Sequence, residues 1–548
     1  MVAGGFMVKL YSVKEMQILE KEANESGLTY EMMMENAGQG IADEIEFAYS
    51  QLSNKKIIAL VGSGNNGGDA LVALYHLSLK QWETCAYIVK KRVPDDPLIA
   101  RLIANGGQVI KEEEDKKFSS LKKLLKSYSV LIDGIFGTGI KLPLKEDIVK
   151  ILLFVKDNLI SDSKKINVVA VDCPSGVDCE TGEAADETIP ADITVTMAGV
   201  KGGLIRFPAA KLTGEIRVAS IGPIENLSAY TDNQKIILTG EMIKKYLPAR
   251  PPDAHKGTFG TAFIVAGSVN YTGAAILAGM AAYRSGVGLV TMAVPSPLHE
   301  ALSGQFPEST WVLLPHEMGV ISADAARVVR QNIDRATAIL IGPGFGLEDT
   351  TREFLYKLFT DGGLVNKGGI GFIHGTKTNR ENEIIQTPII MDADGLKLIA
   401  KIPNWPEVLP SPAILTPHPG EMSVLTGLTT DAIQANRLDI ARQYSIKWGH
   451  VVVLKGAFTV IAAPDGQLAV VLVASPALAR AGTGDVLAGL IVGLRAQGIE
   501  AFQTACAGVW IHANAGLLAA KRMGNTASVI ASDVLNAIPQ VISDMQSI

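Results

Sequence analysis

Cysteine is scarce in this chain of 548 residues: only Cys85, Cys173, Cys179 and Cys506 occur. None of them forms a CxxC pair, which excludes a disulfide scaffold and a zinc ribbon. Aromatic residues make up only 6% of the sequence. Positive charge is not in excess either, since 50 Lys and Arg stand against 56 Asp and Glu, a net charge of -6. No basic field is present to hold a phosphate backbone, so nucleic acid is not expected as a partner. No run approaches the roughly 18 apolar residues of a spanning helix, and the opening MVAGGFMVKLYSVKEMQ has no basic stretch followed by an apolar core and a cleavage site. The expectation is a protein with no membrane partner in a reducing cytoplasm, with its oligomeric state, homo-oligomer included, left open.

What is present is glycine, 54 residues of it, in a chain that is 47% apolar and 19% charged. Such a composition suits strands that alternate with helices through tight turns, and the length suits two large domains. The chain begins with a capping box, Ser12 with Glu15, ahead of a helix. The apolar run Lys56 to Val61 then meets GSGNNGGD and a helical pattern from Ala70 to Leu79, and further strands are predicted at Val130 to Asp133, Asn167 to Asp172 and Asp192 to Met197. The run KEEEDKK, Lys111 to Lys117, is expected to be a solvated helix surface. A looser, Pro-bearing stretch follows Gly222, and a domain boundary is placed near residue 228, dividing the chain into 1–228 and 229–548. The strand rhythm restarts at Thr261 to Ala266 and Gly288 to Val294, with later strands ending at Ile341, Met391 and Thr416. Val451 to Val473 reads as antiparallel strands around a PDG turn. Two α/β domains with largely parallel sheets are predicted.

Gly62-Ser63-Gly64-Asn65-Asn66-Gly67 matches GxGxxG between a strand and a helix. The acidic residue that a dehydrogenase places after its second strand is replaced by Lys90, Lys91 and Arg92, and no GK[ST] of a Walker loop follows. A strand-to-helix turn with free N–H groups can still hold phosphate or ribose. Two further strands end in carboxylates, Asp133 in DGIFGTGIKLP and Asp172 in DCPSGVD. Either alone reads as a turn former. After three apolar strands of one parallel sheet, the loops can converge on one crevice.

These segments, with MENAG ending at Gly38, resemble the epimerase domain of NAD(P)H-hydrate repair enzymes over about residues 8 to 222. The resemblance implies that Asn65, Asn66, Gly67, Gly68 and Asp69, together with Gly137, Thr138, Gly139, Ile140, Lys141, Leu142 and Pro143, hold the hydrated cofactor. It implies a potassium ion on Asn66, Asp133 and Ser175, and Asp172 as the substrate-binding acid or base. Cys173 stands where an aliphatic residue is usual and is read as core packing. Hydrated NADH carries a hydroxyl on the carbon beside the ring nitrogen, and inversion there needs a proton delivered to and taken from that oxygen. One carboxylate can do both.

In the second half, AGTGDVLAGLIVGL (Ala481 to Leu494) is a glycine turn leading into an apolar helix. The N–H groups of Gly482, Thr483 and Gly484 are expected to face an anion. Asp485 reads either as a carboxylate on the helix dipole or as a general base for a hydroxyl about to be phosphorylated. The turn resembles the ribokinase superfamily. HKGTFGTAFIVAGSVNYTGA, GPGFG, MDADGL, LTPHPGEM and LKGAFT narrow the resemblance to NAD(P)H-hydrate dehydratases over about residues 236 to 546. It implies nucleotide contacts from Lys455, Gly456, Ala457, Phe458 and Thr459 and from Ala481, Gly482, Thr483 and Gly484. It also implies contacts to the hydrated cofactor from Gly273, Ala274, Gly346, His418 and Asp485. His418 rests on the resemblance alone, and Lys455 reads equally as a strand-end charge.

Together these imply a Rossmann-like parallel-sheet sandwich followed by a ribokinase-like α/β domain. The first would interconvert the R and S epimers of hydrated NADH and NADPH. The second would dehydrate the S epimer with ADP or ATP and Mg2+, ADP being favoured for a fused chain. The rival reading is a vitamin-alcohol kinase fused to a non-catalytic Rossmann-like module. Retention of NNGGD, Asp133 and Asp172 disfavours it, as does the fusion itself.

Overall fold

The computed structural model describes residues 7–161, 166–360 and 385–546. The chain divides into two compact units, Met1–Ile237 and Leu238–Ile548. The stretch just beyond residue 228 stays with the first unit. Its short helix Ser228–Thr231 is tied back by Glu22, which accepts from the N–H groups of Ser228 (2.8 Å) and Ala229 (2.9 Å). Among the described residues no helix is long and apolar enough to cross a membrane.

The first unit is built on seven parallel strands, in the spatial order Gln108–Lys111, Glu83–Ile88, Lys56–Val61, Val130–Gly134, Asn167–Val171, Ile193–Met197 and Glu215–Ala219. Strand Lys56–Val61 shows why the sheet lies inside. Ile57, Ala59 and Val61 join one apolar cluster with Ile41 and Leu71, while Ile58 and Leu60 join another with Leu121 and Leu152. Side chains alternate across a strand, so a run apolar at every position is covered on both faces. Strand order reverses between Lys56–Val61 and Val130–Gly134, the switch point at whose carboxyl ends an open α/β sheet forms its crevice. A short strand, Lys9–Tyr11, pairs parallel with Gly199–Lys201 and antiparallel with Lys235–Ile237. The Ser12–Glu15 capping box is present.

KEEEDKK does not form a helix surface. Lys111 ends a strand, and Glu112–Glu114 and Lys116–Phe118 are 3₁₀ turns. Asp115 is buried between them because it caps the next helix, accepting from Ser120 N (2.8 Å) and Leu121 N (2.9 Å). One capping carboxylate inside the charge run was enough to break the helical reading.

In the second unit seven strands run parallel, in the order Thr310–Leu314, Leu289–Pro295, Thr261–Val265, Ala338–Ile341, Ile389–Met391, Ile414–Leu415 and Val451–Leu454. Val460–Ala462 and Leu468–Val470 add antiparallel, as the PDG turn predicts. Helix Thr483–Ala496 packs backbone to backbone on helix Thr272–Arg284. A Cβ on Gly489 would lie 2.1 Å from the Ala278 carbonyl. Only glycine permits that approach.

Candidate active sites

In the first unit the glycine turn closes on the loop after the next strand, since a Cβ on Gly62 would lie 2.0 Å from the Ile135 carbonyl. Helix Asn65–Leu79 therefore starts inside the crevice, with Asn65, Asn66, Gly67, Gly68 and Asp69 in its first turns. Asn66 Nδ2 donates to the carbonyls of Val171 (2.6 Å) and Phe136 (3.2 Å), stitching three loops together. Wholly buried Asp133 accepts from Ser175 N (2.7 Å) and Ser175 Oγ (2.6 Å), and Ser175 Oγ accepts from Phe136 N (3.0 Å). Asn66, Asp133 and Ser175 are thus brought together. Burial pushes the Asp133 carboxyl up, against the pull of the Ser175 bonds. Gly137 begins the next loop against Asn66, for a Cβ there would meet Asn66 Oδ1 at 2.1 Å. Thr138, Gly139, Ile140, Lys141, Leu142 and Pro143 continue it half-buried or exposed, and no hydrogen bond among the described residues ties them to Asp69 or Asp172.

Asp172 follows its strand with φ 64°, a left-handed conformation that Asp tolerates better than most residues, and its N–H donates to Val195 (2.8 Å). Its Oδ1 accepts from Lys201 Nζ (2.6 Å) and Thr196 Oγ1 (2.9 Å). Asp69 lies within reach of the same charges. Burial, then the neighbouring charges of Asp172 and Glu20, push its carboxyl well up. The basic replacement after the second strand braces the glycine turn. Arg92 Nη1 donates to Gly62 O (2.8 Å) and Gly64 O (3.2 Å), and its Nε donates to Asp96 (2.6 Å). In MENAG, Glu35 spends its carboxylate on Arg101 (2.7 and 2.9 Å) and on His76 (2.8 Å).

In the second unit Gly273 and Ala274 lie in the first turn of helix Thr272–Arg284. Gly346, at φ 83°, donates to Asp394 (3.1 Å). His418 caps helix Pro419–Thr426: its Nδ1 accepts from Gly420 N (2.9 Å) and Glu421 N (3.2 Å), which leaves the ring proton on Nε2, 3.2 Å from Glu421 Oε1. Burial lowers its pKa despite that carboxylate. Lys455 Nζ donates to Asp392 (2.7 Å) and lies 3.6 Å from Glu421. Burial alone would lower its pKa, but Asp392 and Glu421 turn the shift upward. Gly456, Ala457, Phe458 and Thr459 form the turn into the next strand, largely exposed apart from Phe458. Ala481 and Gly482 lead into helix Thr483–Ala496. The anion cradle differs from expectation in one respect, because Thr483 N–H donates to Arg480 O (3.3 Å). Gly484 and Asp485 follow it in the first turn of the helix. Asp485 is pushed up to about 7, first by burial and then by Asp392, with Lys455 pulling the other way.

A family model described as NAD(P)H-hydrate dehydratase matches residues 262–540, and one described as YjeF-related protein N-terminus matches residues 30–203. The bifunctional NAD(P)H-hydrate repair enzyme Nnr of Moorella thermoacetica is 33% identical over 94% of this chain and 93% of its own. The chain belongs to the bifunctional NAD(P)H-hydrate repair enzymes. The Escherichia coli member is 29% identical, covering 96% of this chain and 92% of its own. A crystal structure of the Bacillus subtilis ADP/ATP-dependent NAD(P)H-hydrate dehydratase, co-crystallised with ATP and Mg2+, is 28% identical with a TM-score of 0.46, covering 56% of this chain and 97% of that one. As a member of this family the chain pairs an epimerase domain with a dehydratase domain, both acting on hydrated NAD(P)H.

Sequence reasoning missed Lys201, Thr196 and Glu20 in the epimerase crevice, Asp392 and Glu421 around Lys455, and Asp394, which accepts from Gly346 and acts on Asp485. Two signals pointed to some of them. Lys201 interrupts the otherwise apolar TVTMAGVKGGLI, where a buried charge must be paired. Asp392 ends a parallel strand, as Asp133 and Asp172 do.

Proposed function

We propose that Asp172 moves the proton in epimerisation and that Asp485 is the base in dehydration. In the first crevice NNGGD and the loop Gly137 to Pro143 hold the hydrated cofactor, and Asp172 delivers a proton to the hydroxyl beside the ring nitrogen and takes one back from the oxygen that returns on the other face. Asn66, Asp133 and Ser175 suit a potassium ion. All three carry hard oxygen atoms, and Asp133 is a wholly buried carboxylate that hydrogen-bonds only Ser175 and Ile135 N–H among the described residues. Such an ion would neutralise Asp133 and hold the loops in place.

In the dehydratase, Lys455 to Thr459 and Ala481 to Gly484 hold the adenine nucleotide, ADP in preference to ATP, with Mg2+ carried on its phosphates to offset their charge. Gly273, Ala274, Gly346 and His418 orient the S epimer. Asp485 takes the proton of the offending hydroxyl as its oxygen bonds to the terminal phosphorus of the nucleotide and the bridging P–O bond breaks to release AMP, or ADP where ATP is used, and the Gly484 and Asp485 N–H groups face the charge that develops. Phosphate then leaves the carbon beside the ring nitrogen, the adjoining carbon gives up a proton to solvent, and the dihydropyridine is restored. The observation that carries this reading is Asp485 poised at about 7 at the start of a glycine-turn helix, where a general base works best. The test incubates both hydrate epimers with and without ADP and Mg2+ and follows nicotinamide absorbance and free phosphate. A stable phosphate ester in place of recovered NADH would establish the vitamin-kinase reading instead.

Each unit has its own apolar sheet, so residues 238–548 expressed alone should dehydrate the S epimer in the presence of nucleotide. Insolubility of this fragment beside a well-behaved full chain would show that the units do not fold separately. The chain is expected to work in the cytoplasm.

A further inference from the structure

Lys201 is buried, at 1% exposure, and all three of its ammonium hydrogens are spent. They go to Asp172 Oδ1 (2.6 Å), Thr196 Oγ1 (2.9 Å) and the Met197 carbonyl (2.9 Å). Thr196 closes the triangle by donating to the same Asp172 oxygen at 2.9 Å. Both bonds fall on Oδ1. Among the described residues nothing donates to Oδ2, although Asp172 itself is only 8% exposed. The backbone supports this orientation, with Asp172 in the left-handed region and its N–H fixed on Val195. A side chain held from a strained backbone position persists only when its surroundings over-determine it.

We propose that Lys201, aided by Thr196, is the positioning residue of the epimerase: it pins Asp172 by one oxygen and leaves Oδ2 as the atom that exchanges the proton with the substrate hydroxyl. No bond to the substrate is assigned to Lys201, whose hydrogens are all engaged. Lys201 also sets the electrostatic contrast within the crevice. Asp69 on helix Asn65–Leu79 and Glu20 on helix Val13–Glu25 both feel Asp172 and Lys201. Three carboxyl groups therefore surround one buried ammonium, and Asp172 is the one bonded to it.

The proposal rests on the assignment of Asp172 as the proton-transfer residue, and a double-mutant cycle in the full-length protein separates the two. Epimerisation of a purified hydrate epimer is measured for the unchanged chain, Asp172→Asn, Lys201→Met and the pair. Lys201→Met should lower kcat by about 10²-fold, the effect of a misplaced reacting group, with KM moved by less than about threefold. In the Asp172→Asn background the same change should have almost no further effect, because Lys201 acts only through that carboxylate. A residue that merely supports the fold would lower both backgrounds alike, and such additivity overturns the proposal, as does a rise in KM with kcat unchanged. If Lys201→Met does not fold, Thr196→Val replaces it in the cycle, with an expected loss of about tenfold in kcat that vanishes beside Asp172→Asn. No loss from Thr196→Val would count against the proposal. If Asp172→Asn itself epimerises at the unchanged rate, the assignment of Asp172 fails; if it is slow while Lys201→Met is not, only the role of Lys201 fails.

Discussion

Asp485→Asn should reduce dehydration by about 10² to 10⁴, the range for loss of a general base, while nucleotide affinity changes by less than about threefold. The asymmetry arises because the phosphate is to be held by backbone N–H groups, which this substitution leaves in place. Nucleotide titration beside single-turnover kinetics checks both halves, and parallel losses of affinity and rate would make Asp485 structural. The pH dependence follows from its pKa of about 7. Only the ionised carboxylate accepts a proton, so the chemical step should fall about tenfold per pH unit below that value and level off above it. The stability effect has the opposite sense. A carboxyl whose folded pKa is raised binds its proton more tightly in the folded state, so its contribution is greatest below the unfolded pKa and declines as pH rises toward about 7. Asp485→Asn, which never ionises, should therefore unfold at a higher temperature than the unchanged protein at pH 8, despite being inactive. A lower melting temperature at pH 8 would mean that Asp485 is held by bonds the amide cannot make.

Asp172→Asn should slow epimerisation by about 10² to 10⁴ without touching the dehydratase. A mixture of hydrate epimers would then be repaired only partway. The S epimer should vanish at the normal rate while R persists, apart from slow spontaneous inversion, and absorbance would plateau early. The substitution is nearly isosteric, but the buried ammonium of Lys201 would lose its counter-charge, so a thermal-unfolding control belongs with the measurement. Full recovery at the normal rate, read fast enough to outrun spontaneous inversion, would reduce Asp172 to a turn residue.

Most of the framework was legible because it depends on local rules. Apolar runs such as Lys56 to Val61 mark strands buried on both faces, Ser12 with Glu15 marks a helix start, and the glycine turns at Gly62 and Gly482 mark strand-to-helix and helix-entry geometry. The failures have equally local causes. KEEEDKK departs from a helix surface because Asp115 caps the following helix from inside a charge run, and the short strands Lys9–Tyr11 and Gly199–Lys201 carry too few residues for a period to show. The Thr483 N–H, expected to face an anion, turns instead to Arg480, a choice made by the preceding turn.

By itself the sequence determined the two α/β halves, many of their strands and the glycine turns between strand and helix, since strand period, turn residues and motif spacing all act within a few residues of one another. Only the tertiary structure decided which charges meet. Lys201 reaches Asp172 across 29 positions and Lys455 reaches Asp392 across 63, separations that no window of sequence can pair. The same holds for the electrostatic states. Asp69 and Asp485 are ordinary carboxylates in the sequence, and their raised affinity for a proton comes from burial and from neighbours on other elements, which exist only once the sheets have brought their strand ends to one edge.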